Sequence, residues 1–135
     1  MKNNIGIKKL KNWLSKYGFS LVYGSDDYVC WDASIVCINS RNRQENKLYA
    51  LIHECGHVMV DNNRDRLYES SSMVQRSYEG RRPSKQKRIA VVAEEIEAWR
   101  RGERLARKLK IDIDEPKFDK QRTMAIMSYI NWAAE

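Results

Sequence analysis

Residues 53–57 read His53-Glu54-Cys55-Gly56-His57, an HExxH motif inside an apolar, helix-compatible run from Leu48 to Val60. On a helix, side chains four positions apart lie one turn apart on one face. The two imidazoles can therefore converge on a single zinc ion (Zn2+). Glu54, between them, is placed to act as the base that activates a zinc-bound water. The chain has two histidines in all, and both stand in this motif. Random placement seldom does that. The bland account is a buried amphipathic helix carrying two incidental histidines.

A catalytic zinc takes three protein ligands and keeps a fourth position open. With no third histidine, the remaining ligand is expected to be a carboxylate or, at lower rank, a cysteine. A later helical segment offers Glu94, Glu95 and Glu97. At ~100° per residue, Val91, Val92, Ala98, Trp99, Gly102, Ala106 and Leu109 all fall within about 60° of Glu95. Glu95 thus sits in the middle of an apolar stripe. Glu94 lies at its edge, and Glu97 points to the opposite side with Arg101, Arg104 and Lys108. A carboxylate on a core-facing stripe must be paired or bound to metal. The competing account is a buried salt bridge from Glu95 to an arginine. Gly102 removes bulk on the same face and suits close helix packing.

The elements that must position these residues are legible as periods and stops. Ile5, Leu10, Trp13, Leu14 and Tyr17 recur at helical spacing, and Gly18 follows as a stop. Phe19–Tyr23, Tyr28–Trp31 and Ile35–Ile38 read as strands, separated by Gly24-Ser25-Asp26-Asp27 and Asp32-Ala33-Ser34. These predict a three-stranded antiparallel meander. A two-residue hairpin at Ala33-Ser34 would set Cys30 opposite Cys37, as a redox pair or, more in keeping with free cysteine, as two small hydrophobes. From Asp61 to Arg88 no period is sustained, and a loop of that length in a small domain is more often functional than inert. A short helix is expected within it, around Leu67 to Tyr78. Ile89–Leu109 is helical, and so is Phe118–Ala134, with Met124, Met127, Ile130 and Ala134 on one side and Asp114, Pro116 and Asp119 at its start. The predicted class is α+β: a small three-stranded antiparallel sheet against an HExxH helix and two or three further helices, in one zincin-like domain spanning residues 1–135.

Composition narrows the setting. With 42% hydrophobic and 32% charged residues the chain is globular in character. No stretch approaches the ~20 apolar residues of a membrane span, and no apolar signal core follows Met1-Lys2-Asn3-Asn4. A cytoplasmic protein is expected. Three cysteines, an odd number, argue against a disulfide scaffold. The net charge of +7 permits attraction to nucleic acid or acidic partners.

His53-Glu54-Cys55-Gly56-His57, followed on a later helix by Glu95-Ile96-Glu97-Ala98-Trp99, resembles the ImmA/IrrE-type zinc metallopeptidases. It is similar, too, to small phage-encoded HExxH proteins with a Glu-x-Glu-Ala-Trp-Arg segment. The resemblance covers roughly residues 19–109. It implies His53, His57 and Glu95 as zinc ligands, Glu54 as general base, and hydrolysis of a peptide bond in a protein or peptide substrate at a gluzincin-like site. Trp99 stands where that family usually carries Asn.

For the oxyanion, Tyr49, Tyr68 and Tyr78 are the available donors, each more often a packing residue. An edge strand of the sheet is expected to hold an extended peptide. A second function class is a zinc-containing binding or regulatory module that cleaves nothing and contacts nucleic acid or a protein partner. Its features are Arg81–Arg88, where five of eight residues are basic, and the Arg100–Lys108 face, with Arg100, Arg101, Arg104, Arg107 and Lys108. Two solvated faces are the bland account of both.

Overall fold

The computed structural model describes residues 2–62 and 83–135. Helix α1 spans Lys2–Lys16, α2 Gln44–Asn62, α3 Lys85–Lys108 and α4 Glu115–Ala134; strands β1 (Ser20–Gly24), β2 (Tyr28–Cys30) and β3 (Ile35–Asn39) lie between α1 and α2. The class is α+β, as expected. The expected helix at Leu67–Tyr78, with Tyr68, Tyr78, Arg81 and Arg82, lies outside the described residues.

The sheet corrects the predicted meander. Its order is β1-β3-β2; β1 runs parallel to β3, and only β2 is antiparallel to it. β3 takes the centre because Val36, Cys37 and Ile38 are buried in succession, an apolar run that suits a strand covered on both faces. β1, with Val22 and Tyr23 exposed, suits an edge. The loop after β1 therefore spans the place that β3 later fills, and one side-chain and one backbone hydrogen bond pin it there. Asp27 Oδ1 accepts from Asn39 N at 2.7 Å, and Ser40 N donates to Gly24 O at 2.9 Å.

The β2–β3 turn is also longer than the predicted two residues. Tyr28 pairs with Cys37 and Cys30 with Ile35, which leaves Trp31–Ser34 in the turn. Ser34 adopts φ 55° and its N–H donates to Trp31 O at 3.3 Å. Cys30 and Cys37 are thus displaced diagonally, not opposed, and all three cysteines are free thiols. Burial, reinforced by the Glu54 charge, pushes the Cys55 thiol well above its usual range, as befits a packing residue.

α2 is the hub. From Leu48 to Val60 nearly every side chain is buried, so the helix is covered all round. Ile7, Leu10 and Leu14 of α1, Val36 and Ile38 of β3, and Trp99, Leu105 and Ala106 of α3 join it in one core. Each fully buried aliphatic side chain contributes about 1.5–3 kcal/mol. Ser84 caps α3 by accepting from Lys87 N at 3.2 Å, and Asp114 caps α4 ahead of Pro116. Gly18, at φ +80°, ends α1 where the sequence predicts a stop. α4 buries only Phe118 fully, with Ala125 and Ile126 packed beneath; Met124, Met127 and Ile130 face outward. No helix among the described residues is long and apolar enough to cross a membrane.

Candidate metal centre

α2 and α3 pass each other in opposite directions with backbone against backbone. A Cβ on Gly56 would lie 1.8 Å from the Ala98 carbonyl oxygen, and one on Gly102 would lie 2.3 Å from that of Ile52. Only residues without a side chain allow this approach. It lays Glu95 of α3 across His53 and His57 of α2.

Glu95 Oε1 lies 2.9 Å from His53 Nε2, and Oε2 lies 2.6 Å from His57 Nε2. The two Nε2 atoms are 3.1 Å apart. Each of the three residues offers a ligand atom within 4.8 Å of the other two, so the group can hold a metal ion. Zinc–nitrogen bonds of ~2.0–2.1 Å in a tetrahedral shell place donors about 3.4 Å apart. The observed separations need only open slightly to meet that value. Two neutral imidazoles and a carboxylate also form a donor set suited to zinc.

Helical phase singled out Glu95, and the fold brings its carboxylate against both histidines. Glu94 is also buried, with Oε2 3.8 Å from His57 Nδ1, on the far side of that ring from Nε2. Glu97 faces outward and pairs with Arg100 and Arg101. Glu54 is buried next to His53, with Oε2 3.4 Å from Nδ1. Its other oxygen, Oε1, is buried with no hydrogen-bond partner among the described residues.

Three neighbours were not singled out for the site from sequence. Trp99, one turn beyond Glu95, stacks on His53 with centroids 4.4 Å apart and planes 9° from parallel, and it also meets Phe118 edge-on at 5.6 Å. The i, i+4 spacing of Glu95 and Trp99 matches that of His53 and His57, and this match was the available signal. Gly56 sets the helix spacing. Asp27, legible only as a turn residue, lies near enough to feel Glu54 and His53. Burial raises its carboxyl, the Asn39 N–H opposes that, and the Glu54 charge adds to the rise.

Trp99 holds one ring face of His53, so removing it should loosen the cluster. Trp99→Phe, which keeps a ring there, should preserve zinc affinity within a few-fold. Trp99→Ala should weaken it by about 10–100-fold, the usual effect of losing a residue that orients a metal ligand. A chelator-competition titration on both folded variants checks this, and equal affinities would show that the stack orients nothing.

The electrostatics of the cluster are those of three mutually dependent charges. Burial alone would lower both imidazoles. The Glu95 and Glu54 carboxylates outweigh it and hold His53 up to about 10, and His57 is likewise raised, chiefly by Glu95. Burial opposes charge on Glu95 too, but His57 and His53 hold it well below the carboxylate range. In the metal-free centre His53 therefore carries its proton at neutral pH. For a raised folded-state pKa, the stabilisation is complete below the unfolded value of 6.5 and is lost as pH rises towards about 10. Metal must displace that proton. Metal affinity is accordingly expected to climb as pH rises towards about 10, with release of the His53 proton on binding. Competition titrations at several pH values, with proton release read in weak buffer, test this; a pH-independent affinity would remove the histidines from the ligand set.

Tyr49 is committed elsewhere. It is buried; its hydroxyl donates to Glu45 Oε2 at 3.0 Å and accepts from Asp114 N at 3.1 Å, which ties α2 to the start of α4. Burial, with the Glu45 carboxylate, pushes its phenol up to about 12. The Arg100–Lys108 face is laced with carboxylates: Arg107 bridges Glu103 and Glu115, and Arg122 of α4 bridges Glu103 and Asp119. Exposed pairs of this kind contribute little stability, but they offset much of the positive charge that a nucleic acid would meet. Compared with known proteins, the chain matches no family model, no curated protein and no solved structure.

Proposed function

We propose that this chain is a zinc-dependent metallopeptidase with a zincin-like fold, acting on a protein or peptide substrate. The observation that carries the proposal is the convergence of His53, His57 and Glu95, drawn from two helices, beside a buried Glu54. His53, His57 and Glu95 would hold the ion. Zinc, when bound, supplies a Lewis acid that polarises the scissile carbonyl and makes water more acidic. Glu54 accepts the attacking water's proton on Oε1, the oxygen that has no other partner among the described residues, and passes it to the leaving amine. Trp99 keeps the His53 ring in plane, and the apolar packing of α2 and α3 limits competing water.

The test is metal content first. The purified chain should carry about one zinc per molecule, the stoichiometry of a single three-ligand site. Glu95→Ala should lower that content by at least tenfold, measured by elemental mass spectrometry after dialysis. A chain that takes up no zinc at micromolar free metal ends the proposal. Unchanged zinc in Glu95→Ala would move the third ligand to Glu94.

A second reading is favoured by one contact. Glu54 Oε2 approaches the non-ligating nitrogen of His53 at 3.4 Å, the place of a carboxylate that orients a metal-bound imidazole. If orientation is its whole role, the chain is a zinc-containing binding or regulatory module for nucleic acid or a protein partner.

A further inference from the structure

In α4, residues 123–134 contain no charged side chain, although 32% of the whole chain is charged. Met124, Met127 and Ile130 form a ridge of every third residue across the outer face. The outward side of α3 continues it through Ile89 and Ile96. These five residues keep 65%, 46%, 40%, 64% and 39% of their surface exposed. Together they leave on the order of 500 Å² of apolar surface, near the apolar share of a standard homodimer interface of ~800 Å² per partner. Monomers rarely leave contiguous apolar patches of this size uncovered.

Next to the ridge lies a groove of about 370 Å³ lined by Lys85, Ile89, Val92, Ile130, Ala133 and Ala134. The geometry points to a second copy of this chain as the occupant, packed α4 against α4 about a two-fold axis at Met127. Met124 and the groove belong to one surface, and they lie on opposite sides of Met127 along α4, with Ile130 shared by ridge and groove. Antiparallel pairing about Met127 brings Met124 opposite Ile130 of the second copy, over its groove, and the reverse contact follows by symmetry. A methionine side chain is flexible enough to fill such a gap. The same register brings Lys120 near Glu135 and the C-terminal end of the opposing helix, where positive charge is favourable.

The proposal is independent of metal binding and catalysis, so its test is association. Sedimentation velocity of the full chain from ~1 to 100 μM should show a monomer–dimer equilibrium, the behaviour of a standard-size interface without extensive charge pairing. Met124→Glu and Met127→Glu should each weaken association at least 100-fold while leaving zinc uptake and helix content unchanged. Met127→Cys in a Cys30→Ser background should form a symmetric disulfide on mild oxidation, because only a residue on the axis meets its own copy. A wild type that stays monomeric at ~100 μM overturns the proposal and leaves the face to a different protein. A dimer that survives both glutamate substitutions, or one whose Met127→Cys chains do not cross-link, also overturns it.

Discussion

Gly56→Ala is expected to destroy the candidate metal centre by adding one methyl group. In an isolated helix the same change would stabilise by about 1 kcal/mol. Here the new carbon would stand 1.8 Å from the Ala98 carbonyl oxygen, with the carbonyl carbon at 2.6 Å. Backbone atoms cannot swing aside as a long side chain can. α2 and α3 must separate, and every interaction between them loosens at once. Those interactions include Glu95 on both histidines, Trp99 on His53, and the Gly102 notch against Ile52. The destabilisation should exceed about 4 kcal/mol, a size reserved for overpacking and broken buried networks. In a chain of this length that lowers Tm by roughly 15 °C or leaves no folded protein. Calorimetry with and without zinc measures it. A variant with unchanged Tm and full zinc content would show that Gly56 does not set the helix spacing. Gly102→Ala, with its carbon at 2.3 Å from the Ile52 oxygen, should act in the same direction and less severely.

Glu54→Gln is expected to leave zinc bound within about tenfold of wild-type affinity and to reduce peptide hydrolysis by 10²–10⁴, the usual contribution of a general base. The substitution conserves shape in a buried site and removes the basic oxygen. Hydrolysis must first be found, by profiling cleavage of a proteome or a peptide library by the zinc-loaded wild type. The variant then separates the two readings of Glu54. A base loses rate and keeps metal. A carboxylate that only orients His53 loses metal affinity, by about 10–100-fold. If neither rate nor affinity changes, Glu54 has no part in either role.

The candidate site was legible in unusual detail because most of its signal is local. Two histidines four apart share a helix face whatever surrounds them, and the phase of Glu95 within its stripe follows from 3.6 residues per turn. Gly18 as a stop and Asp114 ahead of Pro116 as a start are likewise chemistry of adjacent residues. The sheet was less legible. Strand existence follows from composition, but pairing depends on which strand buries both faces. Val36-Cys37-Ile38 claims the centre, which turns the expected antiparallel meander into a mixed sheet with β1 parallel to β3. The two-residue hairpin at Ala33-Ser34 failed for a related reason. Register follows turn length, and Ser34 at φ 55° belongs to a longer turn that a tally of turn-forming residues does not distinguish.

By itself, then, the sequence determined the candidate donors: two imidazoles on one face of α2 and a carboxylate on the apolar stripe of a later helix. Covalent geometry and helical period set these, and neither needs a partner. Only the tertiary structure decided that the stripe meets the histidines. Two glycine notches bring α2 and α3 into backbone contact, so Glu95 spans both imidazoles, Trp99 covers one of them, and Glu94 stays on the far side of His57. The separation of two helices is set by the bulk of facing side chains far apart in sequence. At this crossing that bulk is zero, and the consequence appears only when both helices are in place.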